Sequence, residues 1–301
     1  RTYNDKTPGD FYLYHAEENN ITHLATINTN ILKEQMSAMF PIEYKSRDGL
    51  NIQGYLTVPS GTSGKNLPTV ILVHGGPTSR DYWGYRADVQ LLASRGYAVL
   101  QVNFRGSWGY GKNFTTAGFK QWGKKMQDDI TDGATWLVDQ GVADKDKIAI
   151  FGSSYGGYSA LAGVTFTPDV YACGIAYVGP SNLFTLLNNL PSYWEPEKEM
   201  LFEMIGHPVA DSVLLYNASP VFHTENIKVP LFIAQGGNDP RVRKEESEQM
   251  VDALRRRDQH VAYMLTENEG HGFKLEENRL EFYKAMMGFL AEQMPATSIK
   301  P

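Results

Sequence analysis

The pattern of hydrophobic and polar positions changes near residue 40. Before it, two short alternating segments, Phe11–His15 and Ile21–Ala25, are joined by the polar stretch Glu17–Asn20. Alternation with a period of two places successive side chains on opposite faces, so this pair predicts a β-hairpin. A lone hairpin is marginal in water, and we therefore expect it to pack against other structure or to belong to a larger sheet.

From Pro41 onward, short apolar runs alternate with longer segments of helical period. The first two predicted strands, Ile42–Ser46 and Ile52–Val58, flank a turn at Asp48-Gly49. The remaining predicted strands are Thr69–His74, Tyr97–Asn103, Ile148–Phe151, Cys173–Val178, Leu231–Gln235 and Val261–Leu265, and the predicted helices lie near 86–95, 125–140, 155–165, 243–257 and 276–293. This alternation predicts an α/β fold, with a mostly parallel central sheet and helices on both faces.

One region interrupts the alternation. Residues 180–225 are aromatic, contain several prolines and lack a clear strand–helix rhythm, so we expect an insertion over one end of the sheet. The pattern divides the chain into an N-terminal segment, 1–40, and one large α/β domain, 41–295.

Composition excludes several classes of protein. The net charge is −6, and the single basic cluster, Arg255–Arg257, lies in a predicted helix with acidic neighbours, which argues against a nucleic-acid partner. No apolar run approaches the roughly 18–20 residues of a membrane span. Cys173 is the only cysteine, which excludes a disulfide framework and fits a cytoplasmic or a periplasmic chain alike. Because the chain starts at Arg1 without a signal peptide, we expect a piece of a longer protein.

The sharpest motif is Gly152–Gly157, a G-x-S-x-G match centred on Ser154. It directly follows the strand Ile148–Phe151 and directly precedes a helical segment, which is the context of a nucleophile elbow in the α/β-hydrolase fold. Ser153 is the competing serine, but it is out of register with the flanking glycines. The motif therefore predicts Ser154 as a nucleophile at the end of its strand.

A serine nucleophile needs a base, and the base needs an acid that orients it. In α/β-hydrolases these follow in the order serine, acid, histidine. Asp239 stands just beyond the strand Leu231–Gln235, and His271 just beyond Val261–Leu265, where parallel sheets place their sites. The other candidates lie in a loop or helix, break the chain order or stand at the wrong end of a strand: Asp211, Asp252, His207, His223 and His260.

An acyl-transfer intermediate also needs two hydrogen-bond donors for its oxyanion. One expected donor is the N–H of Tyr155, directly after the nucleophile. The turn after the strand Thr69–His74 supplies the second, for which we favour Gly76, with Gly75 as the alternative. His74 is expected to brace this turn. No metal-binding or phosphate-binding motif occurs, so no cofactor is predicted.

Taken together, these motifs resemble the catalytic domain of the prolyl oligopeptidase family of serine peptidases, and its acylaminoacyl-peptidase and dipeptidyl-peptidase-like branch in particular. The matching stretches spread over about residues 40–293: His74–Pro77, Asn103–Ser107, Gly152–Gly157, Gly237–Val242 and Gly270–Phe273.

The resemblance implies features that the residues alone do not establish. Residues 1–40 would be the last hairpin of an N-terminal β-propeller and the crossover into the hydrolase domain. Arg241, two residues after the expected acid, would hold a carbonyl of the substrate backbone, since a guanidinium is a rigid fork of donors. Val242, Tyr155 and the stretch Val178–Phe184, with Phe184 as its main aromatic candidate, would line the pocket for the side chain before the scissile bond.

The sequence thus predicts a serine peptidase that hydrolyses short peptides at aminoacyl or N-acyl-aminoacyl bonds through an acyl-enzyme. The alternative is a carboxylesterase that uses the same triad on small esters. A catalytically silent interaction module is disfavoured, because all three triad residues are present. The expected partner is a small peptide or ester, with no nucleic acid and no membrane, and assembly into a homo-oligomer is compatible with the sequence.

Overall fold

The computed structural model describes residues 1–296 and contains two β-sheets. A hairpin pairs β1 (Asp10–His15) with β2 (Asn20–Thr26). The larger sheet has eight strands: β3 (Met39–Lys45), β4 (Asn51–Thr57), β5 (Leu67–Val73), β6 (Ala98–Asn103), β7 (Ala143–Ser153), β8 (Cys173–Tyr177), β9 (Leu231–Gly236) and β10 (Val261–Thr266). Six neighbours run parallel in the order β10-β9-β8-β7-β5-β6, and β4 and β3 continue the β6 edge antiparallel. This is the predicted α/β-hydrolase fold.

The helices confirm the five predicted segments and add four more. Their bounds are α1 (Ala87–Ser94), α2 (Lys112–Thr116), α3 (Lys125–Asp139), α4 (Tyr155–Phe166), α5 (Leu183–Asn188), α6 (Lys198–Ile205), α7 (Ser212–Asn217), α8 (Lys244–Arg255) and α9 (Glu276–Gln293). Most of the interrupted region 180–225 is helical: α5, α6 and α7 lie within it, as does the 3-10 turn Ser192–Glu197, and a second 3-10 turn, Pro220–Asn226, closes it. None of the helices in residues 1–296 has both the length and the apolar character that a membrane crossing requires.

Strand β5 shows why the predicted strands read as continuous apolar runs. All seven of its residues are buried, because helices cover both faces of the sheet. Val70 and Leu72 face a core closed by α1 and α9, while Ile71 and Val73 face a second core closed by α3, α4 and α8. Each fully buried aliphatic side chain of this kind contributes about 1.5–3 kcal/mol relative to an exposed one.

The N-terminal segment departs from the sequence interpretation in one respect. The large sheet begins at Met39, so the predicted boundary between residues 40 and 41 falls inside β3. Asp5 Oδ2 accepts a hydrogen bond of 2.8 Å from the Met39 backbone N–H, which ties the N-terminal segment to the first residue of β3. In the hairpin, apolar side chains such as Leu13 and Ile21 are 47% and 63% exposed. The assignment of this hairpin to a propeller stays a prediction.

A buried ion cluster holds the loop after β6 against the rest of the domain. Arg105 donates from Nη2 to Asp129 Oδ1 at 2.7 Å and from Nη1 to Asp48 Oδ2 at 2.7 Å. Asp129, on α3, is completely buried, and Asp48 lies in the turn between β3 and β4. Hydrogen bonds from Arg105 hold the pKa of Asp48 well below its usual range. The cluster therefore joins three elements through one guanidinium.

We expect Arg105→Met to lower the free energy of unfolding by about 3–5 kcal/mol, because it leaves the Asp129 carboxylate buried without its counter-ion. Urea denaturation measures this change. The matched control is Lys145→Met, which removes an exposed pair with Asp146 and should cost less than about 1 kcal/mol. Equal, small effects of both substitutions would contradict a structural role for the cluster.

Candidate active site

Ser154 is held in a strained backbone conformation between β7 and α4. Its φ is 60° and its ψ is −119°, a region that residues with a side chain seldom adopt. The turn can close only around glycines. A Cβ on Gly152 would lie 2.5 Å from the carbonyl carbon of Gly156, and a Cβ on Gly156 would lie 2.1 Å from Val73 O. The structure therefore has the elbow that the motif predicts, with Ser154 partly exposed at its tip.

Three side chains from three strand ends form a continuous hydrogen-bonded chain. Ser154 Oγ lies 3.0 Å from His271 Nε2, and His271 Nδ1 lies 2.7 Å from Asp239 Oδ2. These residues follow β7, β10 and β9, which run parallel and end at the same edge of the sheet. The geometry lets the imidazole accept the serine proton at Nε2 while Nδ1–H donates to the carboxylate.

The Asp239 carboxylate is fixed by its own loop. Its side chain has no solvent exposure, and Oδ1 accepts backbone hydrogen bonds from Arg241 at 2.8 Å and Val242 at 3.0 Å. Donors thus reach both oxygens of this buried carboxylate, so neither is left without a hydrogen-bond partner. These contacts leave Oδ2 aimed at the imidazole.

Two residues that sequence reasoning missed hold the loop carrying His271. The buried Glu269 carboxylate accepts backbone hydrogen bonds from Lys274 at 2.8 Å and Leu275 at 2.9 Å. The hydroxyl of Tyr177, at the end of β8, accepts one from the Phe273 N–H. A carboxylate two residues before the histidine is the only signal in the sequence that could have suggested the first contact.

The competing acids and histidines take part in other contacts. Asp211 pairs with Lys120 at 2.8 Å and also accepts from the backbone N–H of His207 at 2.8 Å. The ring of His223 lies 3.1 Å from Tyr216 O. His260 precedes β10, at the edge of the sheet opposite the triad.

The two expected oxyanion donors lie beside the serine. Gly76 and Tyr155 line the same cavity as Ser154, and neither backbone N–H donates to another group of residues 1–296. Gly75 does not line the cavity, and a Cβ there would lie 3.4 Å from Ser154 Cβ. The placement favours Gly76 over Gly75 as the second donor.

His74 braces this turn, as the sequence suggested. Its Nδ1 lies 2.8 Å from Gly75 O, and its Nε2 lies 2.9 Å from Ser107 Oγ. The ring stacks on Phe104 with centroids 4.4 Å apart, and burial lowers the pKa of the imidazole. A buried imidazole with both nitrogens in contact is a support for the turn rather than a base.

An apolar cavity of roughly 200 Å³ opens at the serine. Arg241 and Val242 line it as predicted, and Arg241 Cζ lies over the Trp194 ring, 5.9 Å from its centroid. Its other apolar walls come from the start of α4, from α5 and α6, and from nearby loops: Pro77, Trp122, Tyr155, Pro180, Leu186, Leu190, Met200, Leu201, Met204 and Ile205.

Phe184 does not line this cavity. Its ring packs against Phe222 with centroids 6.2 Å apart, and Leu186 of the same helix faces the cavity instead. Side chains two positions apart on a helix are rotated about 200° from each other, so only one of the two can face the site. The family resemblance therefore indicated the right segment, since Pro180 lines the cavity, but Phe184 itself lies on the other face of α5.

Nothing in the described part of the chain resembles a metal centre, since no three His, Cys, Asp or Glu side chains come together in a suitable group. Burial raises the pKa of the Cys173 thiol to about 12, so it is no competing nucleophile.

Comparisons of the sequence with family models and with known proteins agree on one family. The model described as "Prolyl oligopeptidase family" matches residues 83–297. The chain is 44% identical to dipeptidyl aminopeptidase BIII of Pseudoxanthomonas mexicana over 97% of its length, and 36% identical to dipeptidyl peptidase family member 6 of Caenorhabditis elegans over 95%. It spans only 45% and 42% of those two relatives.

Solved structures agree. The puromycin-hydrolyzing peptidase of Mycobacterium tuberculosis superposes with a TM-score of 0.88 at 28% identity, over 97% of this chain and 45% of that one. The similarity therefore covers both the N-terminal hairpin and the α/β domain.

We expect Gly156→Ala to abolish the elbow, because the new methyl group would collide with the Val73 carbonyl oxygen. The variant should unfold at a clearly lower temperature and lose reactivity toward a fluorophosphonate. Gly288→Ala is the matched control, because apart from its chain neighbours and the local backbone of α9 no atom lies within 4 Å of the added methyl group. It should stabilise the protein by up to about 1 kcal/mol. A reactive, fully stable Gly156→Ala protein would refute the proposed constraint.

Proposed function

Because the chain belongs to the prolyl oligopeptidase family of serine peptidases, we propose that it hydrolyses short peptides through an acyl-enzyme on Ser154. The main support is the hydrogen-bonded chain of three side chains: Ser154 Oγ lies 3.0 Å from His271 Nε2, and His271 Nδ1 lies 2.7 Å from Asp239 Oδ2. The relatives named as dipeptidyl peptidases support a peptide substrate.

In the first half of the reaction, His271 Nε2 removes the hydroxyl proton of Ser154 as Oγ bonds to the carbonyl carbon of the substrate. The carbonyl oxygen becomes negative and accepts hydrogen bonds from the N–H groups of Tyr155 and Gly76. His271 then returns the proton to the leaving amine, and the C–N bond breaks. Asp239 keeps the imidazole in one tautomer and stabilises its cation.

The second half repeats these steps with water. A water molecule gives a proton to His271 Nε2 and its oxygen bonds to the acyl carbon. The bond from that carbon to Ser154 Oγ breaks, and the serine recovers its proton from the imidazole. Because Tyr155 and Gly76 need no rearrangement between the halves, one preformed site serves both oxyanions.

The substrate is oriented by the apolar cavity and by Arg241. The side chain before the scissile bond enters the cavity, whose walls favour a large apolar residue. Arg241 holds the carbonyl oxygen of the residue before the one whose carbonyl carbon is attacked. The Trp194 ring, 5.9 Å from Arg241 Cζ, forms a cation–π contact with the same guanidinium.

Peptide hydrolysis is favoured over the carboxylesterase alternative. The relatives reported above are named as peptidases. Arg241 can also bind a backbone carbonyl group, which a peptide has and a simple ester does not. Small activated esters should still react, since the triad does not depend on that contact.

We expect Ser154→Ala to abolish covalent labelling by a fluorophosphonate probe, because the hydroxyl that contacts His271 Nε2 is removed. Ser153→Ala is the matched control and should label at the rate of the unmodified protein, since that hydroxyl takes no part in the chain. In-gel fluorescence after timed exposure measures both rates. Labelling of the Ser154→Ala protein at full rate would rule the proposal out.

We expect Arg241→Met to lower kcat/KM by about 10–100-fold on a dipeptidyl anilide, because one charge-assisted hydrogen bond of about 1.5–3 kcal/mol is lost. The same variant should hydrolyse p-nitrophenyl acetate, which has no preceding carbonyl, nearly as well as the unmodified enzyme. Arg255→Met, at the far end of α8, is the control and should change neither reaction. An equal loss on both substrates would contradict the anchoring role.

A further inference from the structure

A second, polar cleft adjoins the apolar cavity. Its volume is about 360 Å³, and it lies between α5 and the start of α8. Leu186 and Arg241 line both spaces, so they form the ridge between them. The other lining residues are Thr185, Asn189, Arg243, Glu245, Glu246 and Gln249.

The cleft is a built feature, because a buried carboxylate fixes its walls. Glu246 is 3% exposed, and its Oε2 accepts backbone hydrogen bonds from Ser181 at 3.0 Å and Asn182 at 2.9 Å. The Thr185 hydroxyl donates to Oε1. In return, Ser181 Oγ donates to Glu246 O at 2.6 Å. These bonds join α8 to the start of α5 and hold the cleft open without a ligand.

The same contacts determine the charge that the cleft presents. Hydrogen bonds within the protein occupy the carboxylate of Glu246, so it faces inward. The ion pairs formed by arginines in residues 1–296 involve Arg47, Arg86 and Arg105, which leaves Arg241 and Arg243 without an acidic partner. Glu245 is the one exposed acid among the lining residues.

The proposed orientation of the substrate brings one particular side chain to this cleft. In that orientation Arg241 holds the carbonyl of the residue before the one whose carbonyl carbon Ser154 attacks. The Cα of that preceding residue is one bond from the anchored carbonyl carbon. Its side chain then starts at the ridge formed by Leu186 and Arg241. The apolar cavity is already filled, so the polar cleft is the adjacent space of suitable size.

We propose that the cleft binds the side chain of the residue that precedes the one whose carbonyl carbon is attacked, and that Arg243 selects for a carboxylate on that side chain. The inference rests on the proposed peptidase function and adds a substrate class to it: short peptides with an acidic residue at that position. Arg241 is engaged with the backbone, so Arg243 provides the free positive charge.

The test compares kcat/KM on two matched substrates, Glu-Phe-anilide and Gln-Phe-anilide, which differ in charge but hardly in shape. For the unmodified enzyme we expect the glutamate substrate to be favoured about 3–10-fold, as befits one ion pair at a partly exposed site. The preference should shrink toward unity as ionic strength rises.

Substitutions then identify the charge responsible. Arg243→Gln should bring the Glu/Gln preference to about one, and Arg243→Glu should invert it. Glu245→Gln should raise it, because the one exposed negative charge is removed. Arg255→Gln, at the far end of the same helix, is the control that should leave it unchanged. Fluorophosphonate labelling of Ser154 in each variant shows that the fold and nucleophile are intact.

The outcomes distinguish failure of the acidic subsite from failure of the peptidase function. If neither anilide is hydrolysed while the serine still labels, the proposed peptidase function fails and the subsite falls with it. If both are hydrolysed but the unmodified enzyme shows no preference, or if Arg243→Glu keeps the original preference, the function stands and the acidic subsite is wrong.

Discussion

The site depends on four adjacent parallel strands, which lie side by side in the order β7-β8-β9-β10. Because all four end at the same edge, the residues that follow three of them can meet although they are far apart in the chain. Ser154 and His271 are separated by 117 positions, yet their side chains lie 3.0 Å apart. The helices that bury both faces of the sheet make this alignment rigid.

Buried carboxylates order the loops at this edge in a recurrent way. Asp129, Asp239, Glu246 and Glu269 each accept at least one backbone N–H from a loop near the site. A charged acceptor makes a stronger hydrogen bond than a neutral one, and a buried one must be satisfied. Breaking these contacts would cost free energy, because it would leave a buried charge without a donor. The loops therefore keep the triad and the substrate cavity in place before a substrate binds.

The strands, the elbow and the triad could be predicted from the sequence, because each leaves a local signal: an apolar run, two glycines around Ser154, and a fixed order of residues at strand ends. Contacts that depend on long-range packing left no such signal. The face of α5 that meets the cavity was misjudged at Phe184, since the orientation of a short helix is set by its neighbours. The role of Glu246 was missed for the same reason, because its partners lie more than 60 residues away.

Peptide mapping by mass spectrometry, after the unmodified protein has reacted with a fluorophosphonate, identifies the nucleophile directly. We expect one adduct, on Ser154, with loss of anilide hydrolysis in proportion to its occupancy. An adduct on another serine such as Ser153, or hydrolysis that persists when Ser154 is fully modified, would contradict it.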